Sequence, residues 1–385
     1  MPVTHEEAKR RTQALQSRLH AAGVEIALVT DESSIAYLAG FWGYMNLEFG
    51  RLTFLLLHYG EPPIVITPRL EVEMVEGMTW IDDVRPYDDA GQHSWDTVLA
   101  GALGMRPGRI GAEVQHMPAM ESTFLQDRYR GVPIMDIGPT IAELRMVKSP
   151  EELDIMRQAG AVGTAMMTAA EESIAEGVPE YETALALMAA GTRKAAELIT
   201  TETLITPLIH ELVLLQSGPE TAMLHRRAGT RRYRHGDPIH IGLGGVLTFR
   251  HYRLGMDRTF YLGEVDAEGS RLYDVALTAE RAALDTLKPG AHAEDAFHAA
   301  AAVLREAGLE PTDRIGRGIG LAPLEPPQLK AGDRTLIKEN MTFVVNTGLG
   351  LPGRLGGRVG DSVVVTNDGV EYLTEYPREL RVVGG

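Results

Sequence analysis

His225 follows the run Gln216-Ser217-Gly218 at short spacing. An imidazole trades protons near neutral pH, so a histidine placed after such a turn can serve as general acid and base. Asp257 opens Asp257-Arg258-Thr259-Phe260, Asn346 closes Met341-Thr342-Phe343-Val344-Val345, and Arg317 stands between Gly316 and Gly318. One carboxylate and one amide suit a neutral or singly polar group better than a guanidinium. A cation in a glycine-flanked turn can hold an anion. Upstream, Phe49-Gly50-Arg51 leads into the apolar run Leu52 to Leu57, and Glu325-Pro326-Pro327 adds a carboxylate further on.

Each of these residues has a plainer reading. Asp257 with Arg258 is an ordinary surface ion pair, Arg51 a cation at a strand end, and Asn346 a turn former before Thr347-Gly348. His210 and His251 read as structural. Strand alternation sets Ile239, Ile241 and Leu243 on one face, and His240 with Gly242 on the other. That leaves His240 structural by preference but near any pocket that Gly242 lines. Arg226, Arg227, Arg231, Arg232 and Arg234 read first as a solvated hairpin or a subunit contact. Their sharper reading is a funnel for an anionic small substrate.

The elements that must position these groups follow from periodicity. The pattern predicts a helix near residues 5–22, a strand at Glu25 to Thr30, and strands near Leu52–His58 and Ile64–Thr67. Helices are predicted around Trp95–Leu103 and Ala119–Tyr129, an alternation that reads as a small α/β domain. Ser149-Pro150-Glu151-Glu152 is a helix start with proline in the first turn. Long helices over Glu151–Glu176 and Tyr181–Leu198 follow, their methionines (Met156, Met166, Met167) read as core filler. Hairpins then alternate with helices at about 268–286 and 292–308. The expected fold class is α/β (α+β), in two domains, 1–145 and 146–385.

Composition narrows the chemistry. The 385 residues contain no cysteine, so neither a disulfide frame nor a thiolate nucleophile is available. No Gly-x-Ser-x-Gly elbow or His-Glu-x-x-His appears, and Gly242-Leu243-Gly244-Gly245 lacks the Lys-Ser/Thr of a phosphate loop. With 37 basic against 53 acidic residues the net charge is −16, which repels nucleic acid. No apolar run reaches the roughly 18 residues needed to span a bilayer. Met1 to His20 is charged and amphipathic rather than a secretory signal. A cytoplasmic protein without nucleic-acid or membrane partners is the expectation.

In order and spacing, the landmarks from Gln216 to Asp361 resemble the creatinase, prolidase and aminopeptidase P family, the pita-bread hydrolases. The resemblance implies a creatinase-type N-terminal domain before a pita-bread catalytic domain. Peptidases of that family hold two metal ions with two Asp, one His and two Glu. Those positions match Gly242, Gly255, Arg317, Asn346 and Gly360 here, with Asp257 as a shifted candidate for the second. The resemblance therefore points to the creatinase-like, metal-free branch, with ectoine hydrolase as a near alternative. It implies His225 as catalytic acid–base and Asp257 facing the substrate's polar head. Phe49, Arg51, Arg317, Glu325 and Asn346 become substrate-binding candidates, with Arg317 or Arg354 as a second carboxylate grip. In creatinase the Phe-Gly-Arg segment (here within Glu48-Phe49-Gly50-Arg51) comes from the neighbouring subunit, which implies a homodimer. The expected function is metal-independent hydrolysis of a non-peptide C–N bond in a small carboxylate-bearing substrate, with no cofactor. The alternatives are an inactive binding protein or a lyase or cyclase on the same scaffold. A metallo-dipeptidase for Xaa-Pro substrates ranks last.

Overall fold

Thr4 starts the first helix by accepting the amide of Glu7 at 3.3 Å, and the charged segment behind it forms α1, His5–Ala21. The computed structural model describes residues 3–384 except 44, 46–48, 106, 201, 210–212, 244–246, 352 and 354, and only the backbone of 355. Glu48, His210, Gly244, Gly245 and Arg354 thus lie outside the described residues. The chain divides into two units, Met1–Arg145 and Met146–Gly385.

In the first unit, β1 (Ile26–Val29), β2 (Phe54–His58), β3 (Ile64–Pro68), β4 (Asp83–Tyr87), β5 (Ile110–Ala112) and β6 (Ile134–Asp136) form one sheet in the order β4-β3-β2-β1-β5-β6. The pairs β1–β2 and β2–β3 are antiparallel and the outer pairs parallel. Around it lie α2 (Glu32–Ala39), α3 (Val72–Met78), α4 (Trp95–Leu103), α5 (Ala119–Arg128) and α6 (Gly138–Met146). Burial of Ile26, Leu28, Phe54, Leu56 and Ile66 against Leu99, Leu103 and Leu125 makes its core.

The second unit begins with α7, Pro150–Ser173, set by a capping box. The Ser149 hydroxyl accepts the Glu152 amide, and Glu152 accepts the Ser149 amide at 2.9 Å. Next comes α8, Glu180–Leu198. The main sheet contains β7 (Leu214–Ser217), β8 (Pro238–Gly242), β11 (Asp257–Leu262), β12 (Gly316–Gly318), β13 (Glu325–Leu329), β14 (Thr342–Leu351) and β15 (Leu355–Val365). Its order is β13-β12-β14-β15-β11-β8-β7, with β16 (Val370–Tyr372) beside β15 and β17 (Arg381–Val383) beside β11. A separate hairpin pairs β9 (Leu247–Phe249) with β10 (Tyr252–Leu254). It turns on Arg250 and His251, both in the left-handed region (φ 50° and 69°).

Alternation divides the main sheet into a back face and a front face. On the back, Phe343, Val345, Val359 and Val363 pack under α9 (Ala267–Leu284) and α10 (Ala293–Glu306) through Leu272, Tyr273, Ala276 and Phe297. The front face carries Asp257, Asn346, Arg358 and the glycines between them.

Candidate functional site

Strand register brings the sequence landmarks into one row. Gly242 on β8 lies opposite Asp257 on β11, Asp257 opposite Gly360 on β15, and Gly360 opposite Asn346 on β14. Directly opposed residues share a face, so these four stand side by side on the front. The next row holds His240, Thr259, Arg358 and Gly348. His240 is opposite Thr259 and Gly348 opposite Arg358, while the Thr259 hydroxyl donates to the Arg358 carbonyl at 3.1 Å. Arg317 on β12 faces Val344, two residues before Asn346, and so shares this face.

The two glycines make room for the carboxylate between them. A Cβ at Gly242 would stand 2.6 Å from Asp257 Oδ1. One at Gly360 would stand 2.5 Å from Asn346 Cβ and 3.0 Å from Asp257 Oδ2. Asp257 is fully buried, with His240 Nε2 at 3.4 Å from Oδ1, Arg358 Nη1 at 3.9 Å from Oδ1, and Asn346 Nδ2 donating to Oδ2 at 3.4 Å. Oδ1 and both nitrogens of His240 complete no hydrogen bond in this arrangement. Burial works against the charge of Asp257, but His240, Arg358 and Asn346 outweigh it and hold the carboxyl below its ordinary range. Burial pushes His240 the other way for an imidazole, below its ordinary value, against the pull of Asp257. The pair is therefore a carboxylate beside a neutral imidazole near pH 7. Asn346, Gly348 and Arg358 are less deeply buried than Asp257, so the face opens on their side.

Other residues expected from sequence lie off this row. Asp257 and Arg258 are not a surface pair: both are buried, and Arg258 turns to the back, where it donates to Asp361 at 3.0 and 3.1 Å. Gly255 takes no place in the row, since its amide and carbonyl both bond the Ser362 hydroxyl. Arg317 is buried, with Nε on the Pro323 carbonyl at 2.6 Å; burial first, then Arg314, lowers its guanidinium. Glu325 stands in a buried ion pair with Lys148 at 3.0 Å and accepts the Ala322 amide. His225 is exposed, on the segment after the 3-10 turn Gly218–Ala222. Gln216, opposite His240, donates to the Arg226 carbonyl, and Arg227 bridges to Leu214, which ties this segment to the β7 edge of the sheet.

The neighbouring arginines are held by partners on other elements. Arg226 pairs with Glu180 and Glu220, Arg231 with Asp237, and Arg232 donates to the Gly177 carbonyl. In the first unit, Phe49 is 62% exposed and Arg51 pairs with Asp89. Sequence reasoning missed Arg358 and set His240 aside. The alternation that put His240 with Gly242 also puts Arg358 on the face of Gly360, two residues away, and would have found it.

The creatinase-type unit and the sheet with its glycine-flanked row define a pita-bread hydrolase fold. Residues 154–367 match the family described as metallopeptidase family M24, and residues 11–147 match the creatinase/prolidase N-terminal domain. The chain belongs to the M24 metallopeptidase family. It is 30% identical to a Mycobacterium tuberculosis protein named "Probable dipeptidase PepE", over 94% of this chain and 93% of that one. Identity with the agropine synthesis cyclase of Rhizobium rhizogenes is 29%, over 96% of this chain and 96% of that one. The crystal structure of dipeptidase PepE from Mycobacterium ulcerans superposes with a TM-score of 0.85 at 28% identity, covering 100% of both chains.

These findings correct the functional expectation. A full-length likeness to proteins named dipeptidases, within a family of metallopeptidases, overturns the metal-independent, ectoine hydrolase-like reading and its non-peptide C–N substrate. The metal pair that the family name implies is tested by the residues themselves. Hard and borderline ions need several carboxylate or imidazole donors converging on them. The matching positions hold glycine at 242 and 360, an arginine at 317 and an amide at 346, and the strand register, which sets Asp257 rather than Gly255 in the row, leaves a single carboxylate among them. Among the described residues no group of three His, Cys, Asp or Glu is placed to hold a metal ion. These residues do not fit the group. No helix is long and apolar enough to cross a membrane among the described residues.

Proposed function

We propose that this chain hydrolyses the amide bond of dipeptide-sized substrates. The observation that carries it is the front face of the main sheet, where a buried carboxylate, an amide and a guanidinium meet within the residues that match the metallopeptidase family. The names of the full-length relatives support the substrate class. In this reading Asn346 donates to the scissile carbonyl, Arg317 supplies positive potential beside it, and Asp257 fixes the amide of Asn346. His225 takes a proton from the attacking water. The water oxygen bonds the carbonyl carbon, the C–N bond breaks, and the proton passes to the leaving amine. Phe49 and Arg51 are proposed to serve the site of a second copy in a homodimer.

The test is release of free amino acids from a panel of Xaa-Pro and other dipeptides, in chelator and with added manganese, cobalt or zinc. Cleavage that falls roughly a hundredfold to ten-thousandfold in His225→Ala fits the proposal. Intact dipeptides under every condition would sink it. Ring closure instead of amino-acid release would move the chain towards the chemistry named for its cyclase relative.

A further inference from the structure

In the first unit, polar side chains from four places in the chain line one narrow cavity. Thr30 follows β1, Glu32 opens α2, Thr53 precedes β2, and Glu71 closes the 3-10 turn Arg69–Glu71 before α3. Ile35, Phe41 and Met45 make its apolar wall. The space amounts to about 20 Å³, room for one water-sized occupant and too little for an organic molecule. Among the described residues that line it there is no lysine, arginine or histidine, so two carboxylates share it without a basic side chain. Glu71 is 8% exposed, and its Oε2 is buried without a hydrogen bond. Its side chain caps no amide of α3, although that helix starts directly behind it. Burial raises its carboxyl above the ordinary value, since nothing among the described residues offsets the cost. Thr30 is 3% exposed; its hydroxyl lies towards Glu121 and completes no hydrogen bond. Thr53 and Thr67 share one hydrogen bond at 3.0 Å, which leaves the Thr53 oxygen a lone pair for a further contact.

A buried carboxylate is ordinarily paired, protonated or bound to a cation. A water molecule can donate to both acids but leaves their repulsion in place. A divalent ion asks for more carboxylate than two side chains supply, and no group of three His, Cys, Asp or Glu is placed to hold a metal ion among the described residues. A dehydrated potassium ion is close to a water in size, carries one charge and takes neutral as well as charged oxygens as ligands. We propose that Thr30, Glu32, Thr53 and Glu71 form a seat for one desolvated monovalent cation of potassium size. The ion ties the ends of β1 and β2 to the start of α2 and to the 3-10 turn, so binding it stabilises the first unit. The seat is independent of the reaction proposed for the main sheet.

The test uses the full chain, purified in choline chloride. Crystals soaked in rubidium chloride, with rubidium standing in for potassium, should give an anomalous peak among these four side chains, and crystals of Glu71→Gln should not. Melting is followed in potassium chloride and in choline chloride at equal concentration. At about ten times the dissociation constant, potassium should raise the melting temperature of wild type by roughly 3 °C. Glu71→Gln should lose that gain, and Thr30→Val should lose part of it. The wild-type map needs no variant, so it decides if either variant fails to fold. An ordered water alone in this place, or a potassium gain undiminished in Glu71→Gln, overturns the seat. A rubidium peak without any thermal gain marks an adventitious ion only and overturns it as well.

Discussion

Asp257 keeps its charge in a place closed to water because three partners share it, and none of them holds it tightly. An amide of the same shape fits the cleared space between Gly242 and Gly360, and Arg358 can turn to solvent when its partner loses charge. Asp257→Asn is therefore expected to change stability by no more than about 1 kcal/mol while cutting kcat/KM at least tenfold. Urea unfolding beside steady-state kinetics checks both halves. On the back of the sheet, Glu280 is buried, with neither carboxylate oxygen hydrogen-bonded. Burial, then repulsion from Asp361, raises its carboxyl well above the ordinary 4.5. The stability it contributes is fully present below about 4.5 and is lost as pH rises through the raised folded value. Glu280→Gln should equal wild type in acid and exceed it in alkali, read as melting temperature against pH. A wild-type advantage at alkaline pH would refute the assignment.

At the scale of elements, the capping box and the packing of α7 can be tested separately. Ser149→Ala removes the acceptor for the Glu152 amide and should cost about 1 kcal/mol in urea unfolding. Gly160→Ala should cost more, about 1–3 kcal/mol or beyond, because its Cβ would stand 1.7 Å from the Leu373 carbonyl. A gain in stability for Gly160→Ala would show that helix propensity, not contact, governs that site. Sequence periodicity found α7 as Glu151–Glu176 and α8 as Tyr181–Leu198, against Pro150–Ser173 and Glu180–Leu198 in the fold. Their apolar faces repeat long enough to be read. It did not find α3, seven residues long, or the three-residue β5 and β6, which repeat too briefly. The glycine-flanked row was half legible. Gly242, Asn346 and Gly360 were placed by the family resemblance, but which of Gly255 and Asp257 stands between them depends on strand register. The charge state of His240 was hidden because it depends on burial.

Over the whole molecule, the two units should respond differently to pH. In the first, burial foremost raises Glu113 and Glu121 to about 7 each. Their contribution is complete below about 4.5 and lost as pH climbs through about 7. Hydrogen exchange should show amides of β1 and β5 opening more readily at pH 8 than at pH 5, roughly, and Glu121→Gln should flatten that slope. A flat wild-type profile would mean that both carboxyls ionise freely in the fold. In the second unit, neighbouring residues 257 and 258 serve opposite sides of one strand. Arg258 donates to the carbonyls of Asp257, Gly360, Tyr376 and Pro377 as well as to Asp361, and so joins β11, β15 and the segment before β17. In a variant library scored once for cellular abundance and once for turnover, the two positions should part company. Substitutions at 258 should vanish from both scores, while those at 257 that keep its size should persist in the first and drop from the second.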